Sequence, residues 1–392
     1  MRVIEAVAFV ALGAIWGSSF LFIKWSATYF PPLTLVGMRL LLAAIIMFAF
    51  NGILAVVRPS HRDILKSHFR RDFILKALMM GFLNNTIPFT LVAWAETKSA
   101  VNVGITSVLD SAIPLFGQLF GHFLLPNERI TLKRGIGLVV GFAGVIVVCL
   151  ERMIDSGDDD SNSDTCNACV YGYYAMIIGA TASYAIASVW GKRTLHEFNP
   201  VVTATAQITS GMLINVILAL LWEFNWPVDN FAGQTHFSFL DDADYKAWIG
   251  IVYLGVVSTC IAYSLYFYLL ATIGSVRQTM VGFLLPIFGV FEGALFNSDW
   301  AGVSWVYKVL EVVGTLLIGA GIYFVNMSDK KKPQPDGESD DEKVALINET
   351  SSDYKSYANG GVTRFLNNQV INGAPTSPHD PRTSMHNVQS YA

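Results

Sequence analysis

The chain is short of charge. Asp, Glu, Lys and Arg make up only 14% of its 392 residues, against about 25% in an ordinary soluble domain. With 53% hydrophobic residues and a mean hydropathy of +0.46, that shortage excludes a typical soluble globular protein and a disordered chain. Four Cys are too few for the disulfide framework of a small secreted domain. A formal net charge of −4 is the wrong sign for a nucleic-acid-binding protein. The sequence has no P-loop, no His-Glu-x-x-His, no nucleophile elbow and no supported pair of catalytic acids, so enzyme chemistry has no visible carrier and no cofactor is implied. A metal site is not expected either. Cys166 and Cys169 stand among Asp residues, whereas a structural zinc site wants four N or S ligands; a disulfide in an oxidising lumen is the other use for the pair.

What the chain has instead is long apolar runs. A helix rises about 1.5 Å per residue and the hydrocarbon core is about 30 Å thick, so a span needs roughly 20 residues. Ten stretches qualify, near 4–24, 33–50, 74–95, 100–123, 134–150, 171–191, 201–222, 247–270, 275–297 and 307–327. The first is too long for a cleaved signal peptide and lacks its small-residue cleavage site. Alternating strands separated by turn signals, the mark of a membrane β-barrel, are absent. The expected fold is all-α and polytopic, with the bilayer as the first partner.

Lys and Arg set the orientation. With the N-terminus in the cytoplasm, sixteen of them fall in cytoplasmic segments, six in the stretch from Arg58 to Lys76 alone. Five fall outside: Lys24, Lys98, Arg152, Lys246 and Lys308. The positive-inside bias therefore places both termini in the cytoplasm. The longest outer loops are acidic, with Asp155, Asp158, Asp159, Asp160 and Asp164 in one and Asp229, Asp241, Asp242 and Asp244 in the other. From about 328 the composition turns to Asn, Ser, Asp and Gly, too polar to form a core, and a disordered cytoplasmic tail over 328–392 is expected.

An internal repeat divides the apolar part. Pro114-Leu115-Phe116-Gly117, leading to Gly121, matches Pro286-Ile287-Phe288-Gly289, leading to Gly293, 172 residues later. Trp16-Gly17 parallels Trp190-Gly191, Pro32 parallels Pro200, Arg39 falls opposite Gln207, and Glu128 falls opposite Asp299. Gly137 and Gly144 parallel Gly314 and Gly321. Each half holds five spans, and an odd number inserts the second half upside down. The organisation is thus one repeat at 4–150, an acidic outer loop at 151–170 and a second repeat at 171–327. Inverted repeats around a membrane-plane axis mark secondary transporters, with the substrate near the midplane.

The stretch Ile15-Trp16-Gly17-Ser18-Ser19-Phe20 with its continuation to Ala44 resembles the opening of a drug/metabolite transporter of the EamA type. So does the stretch from Ser258 to Phe296 in the second half. The spacing from Pro114 to Glu128 and from Pro286 to Asp299 also fits, although the family's usual acid is Glu and Asp299 departs from it. The resemblance covers about residues 5–327. It implies ten helices and proton-linked or facilitated movement of small metabolites such as amino acids. It does not imply one substrate.

Polar residues inside the spans are the candidate site. Asp110 lies roughly 15 Å deep, near the midplane, where a carboxylate costs about 2.5–3.5 kcal/mol to insert and normally faces a cavity or partner. Asn84 and Asn85 reach a similar depth, and the three could line one polar site with Asp110 as proton carrier. The plainer role for Asp110 is structural, at the break before Pro114. Arg39 could clamp a carboxylate or phosphate or snorkel outward to backbone or headgroups. The resemblance implies a basic residue at this position as a common feature, which favours the structural role. Glu292 could pair with a cation or take up a proton. Glu96 and His122, near helix ends, read as solvated. Gln207, Gln278, Tyr184 and Tyr263 could bond a substrate or simply a neighbouring helix. Trp16, Trp94 and Trp190 could wall a cavity or anchor at the interface. Gly117, Gly121, Gly289 and Gly293 would let helices pack closely, and Pro114 and Pro286 would break the hydrogen-bond ladder as hinges or static kinks.

The reading is a transporter of a small polar metabolite, with protons as candidate coupling ion and a second copy as candidate partner. A nucleotide-sugar or organophosphate exchanger is the alternative, and would need several cavity cations where only Arg39 is well inside a span. A non-transporting receptor or scaffold is the third class. In the tail, Glu342 stands four residues before Leu346-Ile347, a pattern that resembles an acidic dileucine sorting signal. It would direct the protein to an endosomal or vacuolar membrane; without it, the plasma membrane is the expected address.

Overall fold

The computed structural model describes residues 3–326 except 69, 99–100, 125–129, 156–166, 196, 224–242, 274–279 and 302–303. Glu128, Cys166, Gln278 and the tail motif Glu342, Leu346 and Ile347 lie outside the described residues.

Eleven helices carry the described chain: α1 (Val3–Ala27), α2 (Pro32–Val57), α3 (Pro59–His68), α4 (Arg71–Glu96), α5 (Val103–Leu124), α6 (Leu132–Asp155), α7 (Asn167–Thr194), α8 (Pro200–Glu223), α9 (245–273), α10 (Leu284–Phe296) and α11 (Trp305–Asn326). No strand occurs among the described residues. Eight of the helices are long and apolar enough to cross a membrane: α1, α2, α4, α5, α7, α8, α9 and α11. The other two expected spans are helical as well. One is the 24-residue α6, and the other is the shorter apolar stretch Val281–Phe296 that contains α10. The short α3 is different, polar and lying against α2.

Large apolar side chains cover the outside: Ile45 is 58% exposed, Phe291 64% and Leu316 67%. In water such a surface would aggregate; in hydrocarbon it costs nothing. The interior is largely apolar as well, but it also takes in Ser, Thr and Asn buried between helices, because every backbone and side-chain donor in lipid must find its partner within the protein.

The packing pairs cross from one half of the chain to the other. α1 lies on α9 and α10, and α7 lies on α4 and α5. α2 packs on α9 and α8 on α4. Three pairs join corresponding helices: α2 with α8, α5 with α10, and α6 with α11. The α6–α11 seam is the most intimate. A Cβ on Gly321 would collide with the Gly141 backbone, and one on Gly144 with the Gly314 carbonyl. Side chains at these positions would hold the backbones apart, which is the physical use of small residues in lipid.

The ladder of α-helical hydrogen bonds is interrupted in four helices. π-turns occupy Phe82–Thr86 of α4, Ala219–Glu223 of α8 and Tyr253–Ile261 of α9. A turn at Ser111 and Ala112 breaks α5 just after Asp110 and just before Pro114, as the missing proline N–H requires.

Candidate substrate site

Arg39 is the centre of the polar interior. It is 5% exposed. Its Nε donates to Thr259 Oγ1 at 3.2 Å and its Nη2 to Ser258 Oγ at 3.2 Å. Both hydroxyls belong to the π-segment of α9, a local widening of the helix that is common at functional sites. Ser258 is held in turn by Ser19 of α1, Oγ to Oγ 2.6 Å. The guanidinium lies 4.0 Å above the Phe89 ring of α4, a cation–π arrangement. The side chain therefore turns into the bundle; the outward route to headgroups is not taken, because hydroxyls and a ring within reach offer what the interface would. Among the described residues no carboxylate pairs with it. A buried cation held only by neutral dipoles is half of an ion pair, and an anionic ligand would complete it.

Tyrosines face this cation. The hydroxyls of Tyr184 on α7 and Tyr263 on α9 are within electrostatic reach of Arg39. Tyr263 accepts from Asn84 Nδ2 at 3.2 Å and also hydrogen-bonds Gln207 of α8. Tyr266 packs 6.3 Å from Tyr263 and 6.0 Å from Trp16, centroid to centroid. Asp110, 6% exposed, accepts from Thr181 Oγ1 at 3.3 Å, and its field reaches Tyr184. Thus Arg39, Asn84, Gln207, Trp16 and Asp110 are brought into one region through Tyr184 and Tyr263.

Other candidates stand elsewhere. Asn85 is fully buried against Gly211 of α8, with neither its Oδ1 nor its Nδ2 bonded. The two neighbours part company within the π-turn Phe82–Thr86: Asn84 reaches Tyr263, while Asn85 stands against Gly211. Trp190 packs with Phe73, Leu195 and Val202 in a small separate cluster near the far end of α7. Glu292 accepts from Ser18 Oγ at 3.0 Å, a contact between α10 and α1. A Cβ on Gly289 would strike Ser107, and one on Gly293 would strike Asp299 and Val103, so both lie in the α5–α10 contact. Gly121 is buried, whereas Gly117 has no atom within 4 Å of where a Cβ would stand; its face is simply open. Leu285 and Pro286 are buried, with Leu285 O close to Gly17. Glu96 is 1% exposed, not solvated, and lies 3.8 Å from Lys24 Nζ. Ser18, Ser258, Thr259, Thr181 and Lys24 were not picked out by sequence, because a lone hydroxyl or interfacial Lys carries no distinguishing signal until its neighbour in space is known.

Apolar helices that cross-pack between two halves, around a buried cation and a ring of hydroxyls, define a polytopic membrane transporter. The chain belongs to the EamA-like transporter family, whose pattern it matches twice, over residues 3–150 and 172–327. It is 24% identical over 317 residues to the uncharacterized inner membrane transporter YedA of Escherichia coli strain K12, covering 81% of this chain and 90% of that one. The uncharacterized transporter YoaV of Bacillus subtilis strain 168 is 23% identical, over 80% of this chain and 94% of its own. A probable amino-acid metabolite efflux pump of Salmonella typhimurium strain LT2 is 24% identical, over 79% and 90%. A solved crystal structure at 16% identity superposes with a TM-score of 0.51, over 83% of this chain and 96% of that one, a likeness of fold.

Proposed function

We propose that the protein is a secondary transporter that moves a small polar metabolite, such as an amino acid, by alternating access between two inverted five-helix halves. In this reading α6 and α10 complete ten spans, and protons couple through Asp110. The termini are cytoplasmic, in a plasma or endosomal/vacuolar membrane, and the Lys24 end of the bundle is outside. The paired contacts support inversion: exchanging α1, α2, α4, α5 and α6 for α7, α8, α9, α10 and α11 maps the main contacts between the halves onto themselves.

The observation that carries the reading is the unpaired Arg39 among Thr259, Ser258 and Phe89, faced by tyrosines from the other half. One cation suits one substrate carboxylate. Organophosphates and nucleotide sugars would call for more, so the exchanger reading is the less favoured. The name of the Salmonella relative points the same way. Flux into proteoliposomes from a panel of amino acids and phosphate esters tests it. Saturable uptake of a carboxylate-bearing solute is expected, with Asp110→Asn keeping substrate binding and losing dependence on a pH gradient. A correctly inserted protein with no solute-dependent flux would leave the scaffold reading standing.

A further inference from the structure

We propose that Glu311 is a proton-binding carboxyl that controls closure at the Lys24 end of the bundle, a site separate from the Arg39 cluster.

Three carboxyls and one ammonium meet there, around the first turn of α5. Asp299, in the turn between α10 and α11, accepts from Val103 N at 2.8 Å and Gly104 N at 3.3 Å, and from Asn297 Nδ2 at 2.7 Å. It is satisfied as an anion by a helix N-terminus. Glu96 has Lys24, whose Nζ also donates to the Lys98 and Val101 carbonyls at 2.6 Å each. Glu311 has neither. It is 2% exposed; one oxygen takes the Trp300 Nε1 proton at 3.0 Å, and the other, Oε1, has no partner. That oxygen points at Gly104, where a Cβ would collide with it.

The other groups facing Glu311 leave it uncompensated. Asp299 adds negative charge. Lys308, on α11 itself, sits over the Trp300 ring at 5.9 Å from its centroid. α10 contributes Pro286, Val290 and Phe291. α6 contributes Val148 against the neighbouring Gly314. On the outer side Glu311 borders a hollow of about 380 Å³ walled mainly by apolar groups such as Ile287, Phe291, Val312 and Leu316, with Thr315 the other polar side chain besides Trp300. A buried carboxylate without a cation takes a proton instead. The aligned position in the first repeat, by the Gly137–Gly314 match, is Arg134, so only this half carries the acid.

Neutral Glu311 lets α11 close on the first turn of α5 beside Asp299. Releasing its proton to the aqueous phase at this end sets two carboxylates side by side and favours separation of α11 from α5. The ligand is thus a proton, and the effect is on the gate rather than on substrate contacts.

Infrared difference spectra of the purified full-length protein, recorded against pH, test this without requiring transport. A protonated-carboxyl C=O band should grow as pH falls and fade as it rises, and Glu311→Gln should remove one component of it. It should survive in Glu96→Gln. A band unchanged by Glu311→Gln, or one erased by Na⁺ in place of choline at fixed pH, would overturn the proposal. Should Glu311→Gln not fold, Trp300→Phe removes the remaining donor and should move the band's titration to higher pH; an unmoved titration would count against it. A titrating Glu311 band in a protein without flux would uphold this site and defeat the transport reading instead.

Discussion

Arg39 owes its position to groups that ask different things of a cation. Two hydroxyls need donors in a plane, and the Phe89 face needs a flat charge above it. Lysine can meet one demand at a time, since its ammonium is a point charge. Arg39→Lys is therefore expected to insert and fold, but to lose one charge-assisted hydrogen bond worth about 1.5–3 kcal/mol, and with it tenfold or more of substrate flux in proteoliposomes; wild-type flux in the variant would mean the guanidinium is only a strut. At this scale the sequence is legible where a residue type is expensive in lipid. Arg39 and Asp110 stand out because a charge at that depth must have a reason. Ser258, Thr259 and Thr181 do not, since a hydroxyl in a span is cheap and common. Asn84 and Asn85 look equivalent on paper, and only their neighbours in the folded bundle, Tyr263 for one and Gly211 for the other, separate them.

Helices and their ends carry a second set of expectations. Ser298 closes α10 with φ of 56°, a left-handed conformation that costs an L-residue about 1–2 kcal/mol, and that turn delivers Asp299 to the α5 N-terminus. Ser298→Gly should raise stability by about 0.5–1 kcal/mol, while Asp299→Asn should lower it by about 1–2 kcal/mol; denaturant titration in detergent reads both. The short helix α3 is held through His61, which is 1% exposed with Nε2 3.0 Å from Asn51 Oδ1. Asn51 Nδ2 donates on to Thr205 of α8 at 2.8 Å, and His61 Nδ1 is buried without a partner. Burial, then Arg58 and His68, push its pKa below the usual value. The folded state thus binds fewer protons than the unfolded one, so this docking is at full strength above about pH 6.5 and weakens as pH falls below it. Amide exchange across residues 59–68, corrected for intrinsic rates, should accelerate below that pH in the native protein and lose the pH step in His61→Gln. The apolar runs made the helices readable, because span length is set by the bilayer. The π-turns were not, since they arise from how α4, α8 and α9 meet their neighbours rather than from local propensity.

Across the whole molecule, the repeat spaced by 172 residues aligned the two halves in sequence, and the contacts between them came only from the structure. Two short motifs, Pro114 to Gly121 and Pro286 to Gly293, were enough to align halves that share little else. Which contacts then close each end, Lys24 with Glu96 or Asn51 with His61, depends on single residues that differ between the repeats and leave no periodic trace. The proposed sidedness rests on the Lys and Arg distribution, and it can be checked directly. An epitope after Ser161 should be reached from the exoplasmic or luminal face and one after Asn359 only from the cytoplasm; the same side for both would undo the even count of spans and the inverted halves with it.

Glu223, at the end of α8, accepts from Leu33 N at 2.6 Å and Thr34 N at 2.7 Å, closing the first turn of α2. Some 190 residues of chain must be made after Leu33 before that carboxylate exists. A nascent first half waits in the translocation machinery with bare amides on α2 and, lacking Asp299, on α5. The five-helix half is therefore an unfinished object rather than a free module: made alone it should be recognised as immature and degraded, and made alongside the second half as a separate chain it should be rescued into a stable complex.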